Sequence, residues 1–547
     1  MTNPLGEGRG VYDITLMPEG KVVSCSPGDD LSTALAKEGI FLDSACGGAG
    51  TCGKCKIRVL SASLPATDNE RRLLSEEERA RGWRLACRVV PSGDMVIETA
   101  DTDISGPAKK PEERPAKTPH RAFGAFGAFG ACGLAVDVGT TTVEANLIDL
   151  KTGEVLAGRS EINPQTRFGL DVLSRISYVM GHPGGVGLLQ KEIVGLLDTM
   201  TKDLCRAAGA SPSSIGTLAV AANCTLLHLL LGVDPAPLGA FPFTPVFVEG
   251  RELPAGEIGM ESVGKNARLY CLPSVSAFVG GDIVAGIYAS GLSRQKNSAL
   301  LIDIGTNGEM VLSREGVLAC CSCAAGPALE GMNIHCGMRA ADGAIEDVFI
   351  DEDEGSVRLK TIGDQAPAGI CGSGILAAIK EFLRVGLVRG DGSLVTAEEL
   401  SFRRRLAALC REEGDRLSIC LSGDVVVTQK DVRQVQLAKG ALLSGVRALL
   451  DWAEFQPRDI GKVFVAGQFG AHLPAESLTK CGILPAEFGE KIEYIGNSSL
   501  SGARMALASL SVREKMEALA HSVTSLELSA TPGYSELFMK CLEFPQI

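Results

Sequence analysis

Four cysteines near the N-terminus constrain this chain more than any other feature. Cys46, Cys52 and Cys55 lie in the run DSACGGAGTCGKC, and Cys87 follows in WRLACRVV. The gaps are five, two and thirty-one residues, so three thiols share one loop and the fourth arrives from a later strand. Structural zinc sites usually draw on two C-x2-C pairs, and one pair is present here. Gly47, Gly48, Gly50 and Gly53 let backbone N–H groups turn inward toward cluster sulfurs. Four thiolates on such a loop point to a 2Fe–2S cluster, with zinc or unrelated buried thiols as the alternatives.

The flanks agree. VYDITLMPE and KVVSCSP read as a strand pair, DLSTALA as a short capped helix, CKIRVLSAS as a strand and LSEEERA as a helix, before WRLACRVV and DMVIETA. Strands around one helix in residues 1–100 resemble the β-grasp ferredoxin, with a first gap closer to the adrenodoxin-like pattern than to the plant-type one. Cys25 falls outside the spacing and reads as an ordinary buried thiol.

A length of 547 residues allows about three domains. A net charge of −13 argues against nucleic acid and anionic membrane surfaces as partners. No stretch approaches a membrane span, and MTNPLGEGRG lacks a signal-peptide core. Eighteen cysteines then suit a reducing compartment, and the expected setting is cytoplasmic. Residues 101–131, rich in Pro, charge and the AFG repeat, offer too little to bury and read as a linker.

Beyond the linker, LAVDVGTTTVEANLIDL (134–150) and LLIDIGTNGEMVL (300–312) each run an apolar strand through Asp-x-Gly-Thr into a second strand. Such a tight hairpin turns backbone amides toward a phosphate, while its carboxylate reaches a metal-bound water. The candidates are Asp137, Gly139, Thr140 and Thr141 in the first turn, and Asp303, Gly305, Thr306 and Asn307 in the second. Glu309 reads either as a Mg2+ ligand through water or as a strand-end charge. GICGSGI places Gly372, Ser373 and Gly374 at the start of an apolar helix, for phosphate or adenosine or for close helix packing. No G-x-x-x-x-G-K-[ST] loop exists.

Two such hairpins resemble the actin-like superfold of acetate and sugar kinases, hexokinase, actin and heat-shock chaperone ATPases, in which ATP lies between two lobes. The resemblance implies that the helix in VSAFVGGDIVAGIYASG (275–291) carries the acid orienting the attacking water, Asp282, which could instead cap its helix. It also implies that VFVAGQFGAHL (463–473), with Gly467, Gln468 and Gly470, lies against adenosine. We expect the first lobe or a middle domain at 132–212 and the remainder of the ATPase domain at 213–547.

The whole pattern resembles the reductive activators of corrinoid-dependent methyl-transfer proteins, through the cluster loop, AVDVGTTT, NPQTRFGLDVLSRI (163–176), LIDIGTNGE, AAGPALEGMNIHCGMRAADGAIE, QKDVRQVQLAKGAL (429–442), FVAGQFG and IGNSSLSGARMAL (495–507). That resemblance implies ATP-dependent reduction of cob(II)alamin to cob(I)alamin in a corrinoid partner, with a reduced ferredoxin or flavodoxin as donor. A redox-gated small-molecule kinase, an activator of another low-potential metalloenzyme and a passive nucleotide-binding electron carrier are the rival readings. Cys320, Cys321, Cys323 and Cys336 are cramped for a second metal site and read as packing residues. The helix-like stretches 432–450 and 505–520 fit a homodimer or packing within one lobe.

Overall fold

The computed structural model describes residues 11–99 and 131–546 apart from 19, 39, 41, 43–49, 51–52, 54, 62–63, 414–415, 468–469 and 471–472. Cys46, Cys52, Gln468 and all of the expected linker but Ala131 lie outside the described residues.

The N-terminal unit holds β1 (Tyr12–Met17), β2 (Lys21–Cys25), α1 (Leu31–Lys37), β3 (Lys56–Val59), α2 (Asp68–Leu73), α3 (Glu76–Ala80), β4 (Trp83–Leu85) and β5 (Met95–Thr99). The sheet runs β2-β1-β5-β3-β4, with β1 and β5 parallel. Asp30 caps α1 through Thr33 N at 3.0 Å. Leu31, Ala34 and Leu35 of α1 enter one core with Ile14, Val23, Cys25, Ile57, Leu85 and Ile97. Cys25 is thus a core thiol. The arrangement is the expected β-grasp.

Two six-stranded sheets follow. The first uses β6 (Cys132–Val138), β7 (Thr142–Asp149), β8 (Val155–Ile162), β9 (Ile215–Ala222), β10 (Arg251–Pro254) and β11 (Arg268–Cys271), with helices α4 (Val172–Gly181), α5 (Gly185–Ala208), α6 (Cys224–Leu230) and α7 (Gly281–Ser290). Residues on both sides of 212 contribute to it. The second is built on β12 (Ala299–Ile304), β13 (Gly308–Arg314) and β14 (Val317–Cys323). Small sheets follow it, β15 (Ala344–Ile350) with β16 (Val357–Thr361) and β17 (Gly369–Ile370), then β18 (Cys410–Glu413) with β19 (Arg416–Ser422) and β20 (Val425–Thr428). Helices α8 (Gly372–Val385), α9 (Arg404–Ala407) and α10 (Gln429–Ala453) intervene. The chain closes with β21 (Lys462–Ala466), α11 (Ala475–Lys480), β22 (Ile492–Gly496), α12 (Ser498–Ala508), α13 (Leu510–Ser522), β23 (Thr524–Ser525) and α14 (Tyr534–Lys540).

The sheets repeat one another. Their orders are β10-β11-β9-β6-β7-β8 and β22-β21-β12-β13-β14-β23. In each, an antiparallel hairpin (β6/β7, β12/β13) extends to a third antiparallel strand on one side. On the other side lie two parallel strands (β9 and β11, β21 and β22). Near-continuous apolar runs in β6, β9 and β12 are buried on both faces. The two Asp-x-Gly-Thr turns therefore occupy equivalent places in two lobes.

α12 crosses α7 at close range, since a Cβ on Gly502 would lie 2.5 Å from the Ala285 backbone. α10 buries Val432, Val435, Ala438, Leu442 and Leu449 in the second-lobe core, and α12 and α13 bury Ala503, Leu507 and Met516 against the first lobe. The stretches considered for dimerisation thus pack within the chain. The segment expected as one helix from 275 becomes helical only at Gly281, because Val275 and Ser276 N–H groups turn back onto Val279 O.

Candidate functional site: a thiol pair and an acidic cleft between two hairpins

At the N-terminal unit, Cys55 stands just before β3, and Cys87 lies in a short helical turn immediately after β4 rather than in the strand itself. Ala86 N donates to Cys55 O at 2.8 Å. Buried Glu70 accepts from Leu85 N at 2.8 Å and fixes the entry to that turn. These ties bring the Cys55 and Cys87 Sγ atoms to 3.3 Å. Two thiolates on one tetrahedral metal with bonds of about 2.3 Å stand roughly 3.8 Å apart, so the pair fits a shared iron with a small relaxation. Gly50 has φ +72°, and a Cβ there would strike the Arg88 guanidinium, so the loop needs glycine at that point.

The second candidate site is a cleft between the lobes. Its lining includes Asp137, Gly139, Thr140, Thr141, Asp282, Asp303, Gly305, Thr306, Asn307, Glu309 and Gly467, so eleven sequence-derived candidates converge from four segments. Each turn closes on itself, with Gly139 N donating to Thr142 O at 2.9 Å and Gly305 N to Asn307 O at 3.0 Å. Gly467 has φ +93°, and a Cβ there would come within 2.6 Å of Asp303 Oδ1. The glycine is needed for that close approach. Gly470 packs on Ile304 and Val465 behind the cleft. Gly372 and Gly374 do not line it; a Cβ on either would stand 1.9 Å from Leu329 O or Ile345 O, which is tight helix packing. Ser373 Oγ pairs with Cys371 Sγ at 3.2 Å.

Sequence reasoning left six more cleft residues unassigned: Thr142, Asn223, Ile304, Glu330, Asn497 and Ser499. Ser499 Oγ donates to Asp137 Oδ1 at 2.7 Å, and Asn497 Nδ2 donates to Asp137 Oδ2 at 2.8 Å and to Glu144. Buried Glu330 accepts from Thr306 Oγ1 at 2.6 Å and Thr141 Oγ1 at 3.2 Å, bridging the two turns. Glu330 and the Asn497 pair sit inside AAGPALEGMN and IGNSSLSG, so the segments were visible while the roles were not.

Five carboxylates in one cleft repel one another. Burial, then the neighbouring Asp137 charge, pushes Asp282 up to about 7. Burial, then Asp282 and Asp137, pushes Asp303 up to about 7. Glu309 is raised well above the usual range by burial and by Asp282 and Asp303. Burial raises Asp137, opposed by Ser499 and Asn497, and it raises Glu330, opposed by the two threonines. Among the described residues lining the cleft none is Lys, Arg or His. A negative site of this kind accepts a phosphate group only in company with cations.

The second-lobe cysteines do not form a rival centre. Cys320 faces one side of β14 and Cys321 and Cys323 face the other, in separate cores. Cys336 lies against Asp424 O at 3.6 Å. Among the described residues no three His, Cys, Asp or Glu side chains are grouped to chelate one ion.

Family models match the chain in three successive blocks. They are a 2Fe–2S iron-sulfur cluster binding domain over 14–92, the RACo middle region over 132–295, and the C-terminal domain of RACo, the ASKHA domain, over 297–547. The corrinoid activation enzyme RamQ of Eubacterium limosum is 32% identical over 415 residues, covering 74% of this chain and 69% of that protein. The chain belongs to the family of reductive activators of corrinoid proteins. Another relative of these activators, a Co(II) methylated amine-specific corrinoid protein reductase of Methanosarcina barkeri, is 25% identical, with 72% of this chain and 73% of that one covered. A solved reductive activator for corrinoid, iron-sulfur protein matches at TM-score 0.68 and 31% identity over 98% of both chains. The activator architecture is thus an iron–sulfur ferredoxin unit ahead of a two-lobed ASKHA unit. No helix among the described residues is long and apolar enough to cross a membrane.

Proposed function

We propose that this chain reductively activates a corrinoid protein, returning cob(II)alamin to cob(I)alamin with single electrons in a cycle driven by ATP. The observation that carries the reading is the joining, in one chain of the activator family, of a thiol pair 3.3 Å apart to an acidic cleft between two hairpins. Cys46, Cys52, Cys55 and Cys87 would hold a 2Fe–2S cluster, which supplies a one-electron carrier when bound. A reduced ferredoxin or flavodoxin is the donor in this scheme, and the corrinoid partner is the substrate.

Around the nucleotide, the turns at 139–141 and 305–307 offer amides and hydroxyls to phosphate oxygens. Asp137, Asp303 and Glu309 would hold Mg2+ through water, consistent with their failure to converge on one chelating point and with the hydration Mg2+ keeps. Bound there, Mg2+ supplies neutralising charge on the phosphates. Asp282, titrating near 7, is suited to accept a proton from the attacking water at neutral pH. The segment at Gly467, Gln468 and Gly470 would border adenosine. ATP acts on the electron hop by favouring one arrangement of the two lobes, and so of the docked partner.

The test is anaerobic. Purified protein, a reductant and a cob(II) corrinoid protein are followed by the cobalamin spectrum with and without MgATP. Cob(I) formation that depends on nucleotide and disappears in Cys87→Ser is expected, with free phosphate released. Reduction at the same rate without nucleotide rejects the ATP-driven cycle, and a phosphorylated metabolite in place of free phosphate favours a kinase.

A further inference from the structure

The first hairpin is held from behind by a buried cation. Arg175, in the first turns of α4, is fully buried. Its guanidinium donates to Gly169 O at 3.0 Å, to Gln165 Oε1 at 3.3 Å and to Thr140 O. All three acceptors are neutral. The charge that acts on it is Asp171, whose own carboxylate caps the helix at Ser174 N, 2.7 Å away. A guanidinium buried on neutral oxygens is a costly arrangement unless an anion balances it.

Asn163 completes the support. Its Nδ2 donates to Gly139 O at 2.8 Å and its backbone N to Thr141 O at 2.9 Å. The carbonyls of Gly139, Thr140 and Thr141 are therefore all captured on the side away from the cleft. In a trans peptide the N–H points opposite to the C=O, so the amides of Thr140, Thr141 and Thr142 are turned away from that support. Gly139, Thr140 and Thr141 line a cleft whose described lining carries no cationic side chain.

We propose that Arg175 is a positioning residue for nucleotide phosphate, fixing the polarity of the first hairpin and lending it positive charge through the Thr140 peptide. The inference rests on the nucleotide reading above. Arg175 touches no ligand itself. Its fork geometry matters, because lysine cannot reach three separated carbonyl oxygens at once.

The experiment compares binding of MgATP with binding of adenosine, which has no phosphate, to the full-length protein. Arg175→Gln removes the charge. Gln165→Glu leaves the arginine in place but neutralises it with a carboxylate at 3.3 Å. Both variants should fold, by circular dichroism and melting, and should lose at least tenfold in MgATP affinity while adenosine binding holds. Arg175→Lys should recover only part of the loss. Folded variants that bind MgATP like the wild type overturn the proposal, as do variants that lose both ligands in equal proportion. Failure of both to fold also overturns it, since Arg175 would then serve the scaffold alone. A wild type that binds no MgATP instead rejects the nucleotide reading, so the two failures are distinct.

Discussion

The two Asp-x-Gly-Thr hairpins occupy equivalent positions in two similar sheets, yet they are finished differently. The first has its three turn carbonyls captured by Asn163 and Arg175, and its acid, Asp137, is pinned by Asn497 and Ser499. Among the described residues the second has one such support, Gly326 N donating to Thr306 O at 2.9 Å. Among the described residues no side chain donates to Asp303, and Gly467 abuts it without a Cβ. One hairpin is organised by the protein. The other keeps buried carboxylates whose charge must be balanced by protons or by a bound cation.

The sharpest way to break that contrast is Asp303→Asn. If the cleft hydrolyses nucleotide as proposed, losing one electrostatic contact to the reacting phosphate costs on the order of 10²–10³ in rate, and phosphate release should fall by that much. Stability should move the other way. Asp303 titrates near 7 when folded and near 3.8 when unfolded, so the folded protein binds the extra proton between those values. The contribution is fully present below about 4 and is lost as pH rises through 7. At roughly 1.4 kcal/mol per unit, burying Asp303 beside Asp282 and Asp137 costs on the order of 4 kcal/mol at pH 8. Denaturant melts of the nucleotide-free protein should therefore weaken from pH 4.5 to 8, and Asp303→Asn should flatten that slope. A variant with the wild-type slope would mean that Asp303 is solvated like any surface acid.

Asn497→Ala probes the first hairpin instead. It removes one donor from Asp137, which keeps Ser499, and one from Glu144, and losing a buried hydrogen-bond partner costs about 1–3 kcal/mol. The melt should shift accordingly, with a smaller loss of phosphate release than in Asp303→Asn. Equal losses in the two variants would erase the asymmetry.

What the sequence disclosed follows the range of each interaction. The two Asp-x-Gly-Thr turns are local events, and glycine and strand pattern announce them within a dozen residues. Asp282 was legible through its place ahead of the second hairpin. The donors to Asp137 lie some 360 residues away along the chain, so nothing in the AVDVGTTT segment reveals them. Arg175 lies in the quoted segment 163–176, but nothing local to it announces that the fold buries its guanidinium. Gly372 and Gly374 stood open between two readings, because a glycine needed for close packing and one needed at a phosphate look identical in sequence, and the structure shows the packing. The cysteine spacing brought Cys55 and Cys87 into one reading, whereas Cys320 and Cys321 are neighbours in sequence and strand alternation sends them to opposite faces.

Glu330 offers the smallest and most discriminating test. Its carboxylate accepts from Thr306 in one lobe and Thr141 in the other, and those hydroxyls stand 3.4 Å apart. A phosphate oxygen would compete for the same donors, so nucleotide entry must loosen this bridge. Glu330→Gln keeps the shape and removes the charge. Two like charges about 4 Å apart repel by about 1 kcal/mol even in water, so MgATP should bind at least about fivefold tighter, measured by calorimetry, with phosphate release retained. If release instead collapses while binding tightens, Glu330 takes part in the chemistry. The second hairpin would then be as fully furnished by the protein as the first.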